Sequence, residues 1–256
     1  MHRIFLQIGP LTITWYGLMV GLGAIAGLLM LRRNKSRAEM SEDQCYDLLL
    51  YAMISGIIGA RLFYVCQFWE NFKNDLWEVI KVYHGGLVFY GGFIFAIFAI
   101  YIFSRRNKLD FVRVLDICAT ALPLTHFFGR TGCFMNSCCF GKRTDSILGV
   151  VFPKGSDPYM FYGAEVKVHP TQLYEAFGNM LIFLVLLKFF KRLKRGQSAS
   201  LYVVLYAALR FVVEMFRGDH KDFVFDLFTP AQSICLLIFP AGVAAMVYFS
   251  LKRKPD

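Results

Sequence analysis

Three short segments of the sequence combine charged and polar side chains that are suited to bind an anion. They are GRTGCFMNSCCFG at 129–141, HPTQLYE at 169–175 and YAALRFVVEMFR at 206–217. Two of their arginines, Arg130 and Arg210, lie at or within the ends of long apolar runs. A guanidinium carries paired donors that match the oxygens of a phosphate or a carboxylate. We therefore predict that these two arginines bind an anionic ligand.

The segment 206–217 has the spacing of one polar face on a helix. Tyr206, Arg210, Glu214 and Arg217 fall at i, i+4, i+8 and i+11, and at roughly 100° per residue they share an arc of about 80°. This spacing has two interpretations. Arg210 and Glu214 can pair within the helix and so neutralise each other. Alternatively, Arg210 can join an arginine from another helix around a shared anion.

The segment 169–175 predicts the start of a helix. Pro170 suits the first helical turn, and Gln172 and Glu175 then lie three residues apart on one side. His169, taken alone, is interpreted as a loop residue before that helix. A further segment, HGGLVFYGGF at 84–93, contains two glycine pairs. Glycine pairs allow the close approach of either another helix or a ligand, and both interpretations stay open.

Cysteine adds a further reactive group, with seven in the chain. Only Cys133, Cys138 and Cys139 form a tight cluster in the sequence. They lack a paired CxxC motif and a histidine at metal-ligand spacing, so the sequence predicts no metal site. A disulfide in this segment and a reactive thiol beside a phosphate-binding arginine both stay open.

The elements that carry these residues are predicted to be membrane-spanning helices. Hydrophobic residues form 57% of the 256-residue chain and aromatic residues 17%, which is more than a water-soluble core needs. Continuous apolar runs favour helices over the alternating strands of a barrel. We predict an all-α polytopic membrane protein with seven transmembrane helices. The seven runs are 11–31, 46–66, 86–103, 111–129, 173–187, 200–216 and 228–251.

The basic residues predict how the chain is oriented. The net charge is +10, but the basic residues cluster after alternate spans and do not form the aromatic-interleaved patch of a nucleic-acid surface. The clusters lie at 32–37, 105–113, 188–195 and 252–254. Positive clusters mark cytoplasmic loops, so the N-terminus is predicted outside and the C-terminus in the cytoplasm. The first apolar run is too long for a signal-peptide core and is interpreted as a retained helix.

The whole chain, 1–256, is predicted to be a single integral membrane domain. Its longest segment between spans, 130–168, separates spans four and five and is rich in Gly, Pro, Ser and Asp. This composition and the predicted orientation indicate a small extracytoplasmic loop or cap.

Several charged residues of the predicted spans lie toward the extracytoplasmic ends. They are Arg61, Arg130, Glu175, Arg210 and Glu214. Charges inside a membrane are costly and indicate functional sites. At this depth the abundant anion is a phospholipid phosphate, which is the predicted ligand. A transporter is an alternative, but its charges would mark a path through the midplane, and the sequence shows no inverted repeat.

Five motifs, taken in order, resemble a known family. They are WYG at 15–17, the glycine pairs around Tyr90, GRxGxFxN followed by Gly141, HPTQLYE, and YxxxRxxxExxR ending at Arg217. Together they resemble the bacterial prolipoprotein diacylglyceryl transferases over most of the chain. The resemblance implies a multi-pass enzyme of the bacterial cytoplasmic (inner) membrane, with its active site toward the extracytoplasmic side.

The resemblance also implies the reaction and the partners. The diacylglyceryl group of phosphatidylglycerol would pass to the lipobox cysteine thiol in the signal peptide of a preprolipoprotein. A thioether would form and glycerol phosphate would be released, with no cofactor or metal. The expected partners are therefore the bilayer lipid and the preprolipoprotein, and not nucleic acid.

Individual residues acquire roles from the same resemblance. Arg130 and Arg210 match two critical arginines of the family, which would hold the phosphate and stabilise charge on the departing glycerol phosphate. Further matching positions are predicted to bind the substrates: Tyr16, Asn136, Gly141, His169, Gln172, Glu175, Tyr206, Glu214 and Arg217.

Three residues depart from the family pattern. Tyr90 stands where many members have a histidine, and a phenol with a pKa of about 10 is a poor base for the acceptor thiol. Tyr90 would act after deprotonation near an arginine, or else the thiol would lose its proton to another group, such as His84, or to water. Cys133 and Cys138 replace an asparagine and an acidic residue. These departures favour, as the alternative, a paralogue that modifies a different lipid or peptide.

Overall fold

The computed structural model describes residues 4–9, 11–82, 85–218 and 227–252. Over these residues it confirms the predicted fold class, with seven helices that are long and apolar enough to cross a membrane and no closed sheet. The helices are α1 (Trp15–Asn34), α2 (Glu42–Gln67), α3 (Phe89–Arg106), α4 (Phe111–Met135), the short α5 (Asp157–Tyr162), α6 (Thr171–Phe189), α7 (Gln197–Met215) and α8 (Pro230–Leu251).

The first predicted span begins later than its apolar run. Strand β1 (Ile4–Ile8) pairs antiparallel with strand β2 (Leu11–Thr14), and α1 starts only after this hairpin. Because Thr12, Ile13 and Thr14 are β-branched, the start of the run favours an extended backbone. The Thr14 hydroxyl then accepts the Gly17 N–H at 3.1 Å, which satisfies a free donor at the start of α1.

The fourth span is longer than predicted, because α4 continues past 129 to Met135. Arg130 therefore lies inside the last turns of a helix. The segment that follows carries strand β3 (Val150–Val151), which pairs antiparallel with strand β4 (Lys167–Val168). Phe140, Phe152 and Val168 form a small buried cluster there. The connection between α4 and α6 thus has an apolar core of its own.

The chain divides into two compact units, Arg32–Val114 and a larger one formed by Met1–Leu31 and Leu115–Asp256. In the larger unit, Ala119 of α4, Ile182 and Leu186 of α6 and Tyr202 of α7 form a hydrophobic cluster. The buried Asp116 carboxylate accepts the N–H groups of Gly196 at 2.6 Å and Ala199 at 2.9 Å, at the start of α7. These contacts fix α7 against α4.

In the smaller unit, α2 and α3 pack at close range through glycine. A Cβ atom on Gly59 would lie 2.5 Å from the Gly91 carbonyl oxygen, and one on Gly91 would lie 2.5 Å from the Gly59 carbonyl oxygen. Gly92 approaches Gly56 in the same way. The glycine pair at 91–92 therefore serves helix packing, one of the two interpretations left open by the sequence.

Arg61 of α2 is buried at 6% exposure and binds the connection that leads to α3. Its guanidinium donates to the carbonyl oxygens of Val79 at 2.9 Å and Gly85 at 2.5 Å, and also to that of Glu78. The Tyr64 and Phe72 rings lie 5.6 and 5.2 Å from its guanidinium carbon. Arg61 thus stabilises a turn of backbone.

Candidate active site

A buried carboxylate on α6 joins arginines from two other helices. Glu175 is 2% exposed, and its Oε2 lies 2.9 Å from Arg130 Nη2 and 3.0 Å from Arg210 Nη1. The Tyr206 hydroxyl donates to Glu175 Oε1 at 3.1 Å. Helices α4, α6 and α7 therefore meet at one ionic cluster.

A second buried carboxylate, Glu214, extends this cluster along α7. Its Oε2 lies 2.7 Å from Arg210 Nη2 and 3.9 Å from Arg217 Nε. The intrahelical pair allowed by the sequence spacing is thus present. Arg210 also meets Arg130 at a shared anionic group, the Glu175 carboxylate, so the two interpretations of the polar face are both realised.

Guanidinium groups outnumber carboxylates in the ion pairs of the described residues. Three guanidinium groups, on Arg130, Arg210 and Arg217, face two carboxylates, on Glu175 and Glu214. The three arginine side chains are only 21%, 14% and 8% exposed. Partly buried guanidinium groups gathered from two helices favour an anionic ligand. A phosphodiester carries such a negative charge.

The HPTQLYE segment packs against the cysteine-containing loop that follows α4. The Gln172 side-chain amide donates to the Cys138 carbonyl at 2.6 Å, and the Thr171 hydroxyl donates to the Cys139 carbonyl at 2.9 Å. The Gly141 N–H donates to the His169 carbonyl at 2.9 Å. The start of α6 therefore determines both the position of Glu175 and the path of the loop.

Three backbone segments pack so closely at Gly141 that a side chain there would clash. A Cβ atom there would lie 2.5 Å from the His169 carbonyl oxygen and 2.7 Å from that of Phe216. Gly141 also forms an isolated antiparallel bridge with Arg217. Gly141, which the sequence analysis predicts as a substrate-binding residue, thus allows the loop to contact the end of α7.

The other residues predicted to bind substrates lie close by. His169 Nδ1 is 3.1 Å from the Tyr174 hydroxyl, and its ring packs on Phe216. Asn136 directly follows α4 and its N–H donates to the Gly132 carbonyl at 2.9 Å. A Cβ atom on Gly132 would lie 3.2 Å from Tyr16 Cδ2, so Tyr16 lies against the same end of α4.

The structure does not bring every predicted residue into one described cluster. Tyr90 belongs to the smaller unit, where it is the second residue of α3 and 41% exposed. His84 lies outside the described residues. Tyr90 therefore stays a prediction as a catalytic residue.

Three thiols converge in the loop after α4. The sulfur atoms of Cys133, Cys138 and Cys139 all lie within 4.8 Å of one another. Hydrogen bonds with Cys133 and Cys138, together with the charges of Arg130 and Arg217, lower the pKa of the Cys139 thiol. The same hydrogen bonding raises the pKa of the Cys138 thiol.

Thr229 and Gln232 are residues of the site that the sequence analysis missed. The Thr229 hydroxyl donates to Glu214 Oε1 at 2.9 Å. Thr229 and Gln232 also form a capping box at the start of α8. The available signal was TPAQ at 229–232, a threonine followed by proline and then by glutamine three residues after it. Both residues line a cavity of about 310 Å³ beside Glu214 and Arg217.

Comparison with known proteins identifies the family of the chain. Residues 3–248 match the family model described as prolipoprotein diacylglyceryl transferase. Relatives that carry the name phosphatidylglycerol–prolipoprotein diacylglyceryl transferase include the following three. That of Finegoldia magna is 35% identical, covering 99% of this chain and 96% of the relative. That of Rickettsia bellii is 33% identical, covering 96% of this chain and 95% of the relative. That of Listeria welshimeri is 32% identical, covering 100% of this chain and 92% of the relative. The chain therefore belongs to the prolipoprotein diacylglyceryl transferase family.

Proposed function

We propose that this protein transfers the diacylglyceryl group of phosphatidylglycerol to the lipobox cysteine thiol of a preprolipoprotein. The products are a thioether and glycerol phosphate. The observation that carries the proposal is the cluster of Arg130, Glu175, Arg210, Glu214 and Arg217, in which guanidinium groups from α4 and from α7 meet at the Glu175 carboxylate among the ends of membrane helices. The names of the relatives support the choice of donor and acceptor.

In this reaction the two central arginines act on the phosphate. Arg130 uses Nη2, and Arg210 uses Nη1 and Nη2, to hold carboxylates in their described ion pairs. A guanidinium has five N–H donors, so each can also bind a phosphodiester oxygen. As the glycerol carbon–oxygen bond breaks, negative charge develops on the leaving phosphate, and these donors stabilise it. Glu175 positions both arginines and is itself held by Tyr206.

We further propose that the site faces the extracytoplasmic side of the bacterial inner membrane. The cluster lies at the C-terminal ends of α4 and α7 and at the N-terminal end of α6. The basic residues Arg113 and Lys188 lie at the opposite ends of α4 and α6. Because positive residues favour the cytoplasmic side, the cluster is assigned to the outer one. The predicted cap, 130–168, is then extracytoplasmic and inserted in a single membrane domain, 1–256, and its first residues, as far as Met135, form the end of α4.

The proposal is tested with the full-length protein reconstituted in vesicles. Phosphatidylglycerol and a lipobox peptide are supplied, and the peptide is followed by mass spectrometry. We expect a mass gain equal to one diacylglyceryl group on the cysteine, and none on a peptide with serine in its place. If the folded protein leaves the peptide unmodified with phosphatidylglycerol but modifies it with another anionic lipid, the paralogue is correct instead.

A further inference from the structure

The fold brings the thiol groups of Cys133, Cys138 and Cys139 together. Cys133 lies in the last turn of α4, whereas Cys138 and Cys139 return to it on the following loop. Ser137 and Cys139 adopt φ angles of 60° and 59°, a left-handed conformation that costs energy for residues other than glycine. Such strain persists only where the surrounding structure enforces it.

The neighbouring helix α6 supplies that enforcement. Gln172 and Thr171 bind the carbonyl oxygens of Cys138 and Cys139, and Gln172 is 1% exposed. The loop is therefore held by side chains that are themselves buried, and the three sulfurs face one another within 4.8 Å. A tetrahedral zinc ion with Zn–S bonds of about 2.3 Å needs sulfurs separated by about 3.8 Å, which this arrangement accommodates.

Three protein ligands are typical of zinc sites that keep one position open for a reacting group. We propose that Cys133, Cys138 and Cys139 bind one zinc ion, and that its open position takes the acceptor cysteine as a thiolate. This inference rests on the proposed function. It departs from the expectation of no metal, which relied on the absence of a CxxC motif in the sequence.

The location of the thiols suits this role. Arg130 and Cys133 are three residues apart on α4 and therefore lie on neighbouring positions of one helix face. A phosphate held by Arg130 and a thiolate held at the Cys133 metal site would thus be adjacent. Zinc binding would also deprotonate the acceptor thiol directly, so a chain with Tyr90 in place of the family histidine needs no separate strong base.

The chemical step balances without an oxidant or a reductant. The acceptor thiol binds zinc as a thiolate and its proton passes to solvent. The sulfur electron pair then forms a bond to the glycerol carbon, and the electron pair of the breaking carbon–oxygen bond leaves with the phosphate. The resulting thioether is uncharged and is a weaker zinc ligand than a thiolate, so water replaces it.

The first test measures metal directly in the purified full-length protein. We expect about one zinc ion per chain by elemental mass spectrometry. Substitution with cobalt should give a thiolate-to-cobalt absorption band, and the lipobox peptide should increase it by adding a fourth sulfur, whereas the serine peptide should not. The combined variant Cys133→Ser, Cys138→Ser and Cys139→Ser should lose both the zinc and the band. Cys66→Ser, at an exposed cysteine outside the cluster, should retain both.

The second test separates this inference from the proposed function. Removal of zinc from the wild-type protein by a chelator should reduce the transfer rate to background, and added zinc should restore it. If the metal-free wild-type protein transfers the diacylglyceryl group at the full rate, the zinc inference is wrong and the proposed function stands. If the protein binds zinc and the peptide without transferring lipid, the site stands and the proposed function fails. A wild-type protein without zinc, or with a disulfide between two of the three cysteines, overturns the inference.

Discussion

Two regions of the molecule bury arginine in opposite ways. In the smaller unit, Arg61 is surrounded by neutral carbonyl oxygens of one loop and by aromatic rings. In the larger unit, Arg130 and Arg210 are paired with Glu175, a carboxylate from a third helix. Carbonyl oxygens satisfy the donors of Arg61 and stabilise a turn, whereas the Glu175 carboxylate brings guanidinium groups of two helices to one point. Burial of an arginine in a span therefore does not by itself identify a binding site; its partners do.

The largest expected effect is loss of transfer when either arginine of the larger unit is removed. Arg130→Ala and Arg210→Ala should each lower kcat/KM at least about 100-fold, because the leaving phosphate loses donors that stabilise its charge. The initial rate of peptide modification, measured over a range of phosphatidylglycerol concentrations that extends below KM, gives this value. Arg113→Ala is the matched control, since Arg113 pairs near the surface with Glu39. Full activity in either cluster variant would refute the phosphate-binding role.

The next variant removes the charge of Glu175, the carboxylate that Arg130 and Arg210 share. Glu175→Gln keeps the shape of the side chain but leaves two guanidinium groups without their common counter-ion. Breaking such a buried ion pair costs about 3–5 kcal/mol of stability, and we expect kcat to fall about tenfold in the molecules that remain folded. Tyr206→Phe removes only the hydroxyl that donates to Glu175 and should change kcat less. Equal effects of the two variants would contradict a positioning role for the carboxylate charge.

Two glycines of the larger unit allow a further test. Gly141→Ala would force a Cβ atom to 2.5 Å from the His169 carbonyl oxygen, so the loop must move away from α6. We expect transfer to fall about tenfold, equivalent to about 1.4 kcal/mol in the barrier. Gly129→Ala is the matched control, because a Cβ atom there meets nothing within 4 Å. An active Gly141→Ala variant would show that the loop can shift without affecting the site.

Arg61→Ala should show the opposite pattern, with stability lost and activity per folded molecule retained. Its removal leaves buried carbonyl oxygens without their donor, at a cost of about 1–3 kcal/mol. Thermal unfolding in detergent, combined with the transfer rate of the folded fraction, measures both quantities. A variant that stays stable but no longer transfers lipid would assign Arg61 to the reaction and would end the contrast between the two regions.

The smallest expected effect belongs to Tyr90→Phe. If the acceptor thiol is activated at the cysteine cluster, loss of this hydroxyl should change kcat/KM less than about threefold, whereas loss of a general base lowers rates about 100-fold or more. The transfer assay with the lipobox peptide decides between these outcomes. A fall on the larger scale would identify Tyr90 as a catalytic residue and would place chemistry in the smaller unit as well.

Local patterns in the sequence predicted much of the fold. Each apolar run predicts a membrane-spanning helix, because the energy of burying a side chain in lipid depends on that side chain more than on distant contacts. The polar face of α7 could likewise be predicted from helical period, including the pair of Arg210 with Glu214. Helix boundaries depend less on hydropathy. The apolar run predicts that the fourth span ends before Arg130, but Arg130 lies within α4, which continues to Met135.

By itself, then, the sequence determined the number of spans, the polar face of α7 and the resemblance to a family of transferases. Tertiary structure alone decided that Glu175 joins Arg130 to Arg210, that Arg61 donates to backbone carbonyl oxygens, and that three cysteines without a metal-binding motif converge. The physical reason is distance along the chain. Hydropathy and helical period are properties of neighbouring residues, whereas these contacts join segments that meet only when the helices pack.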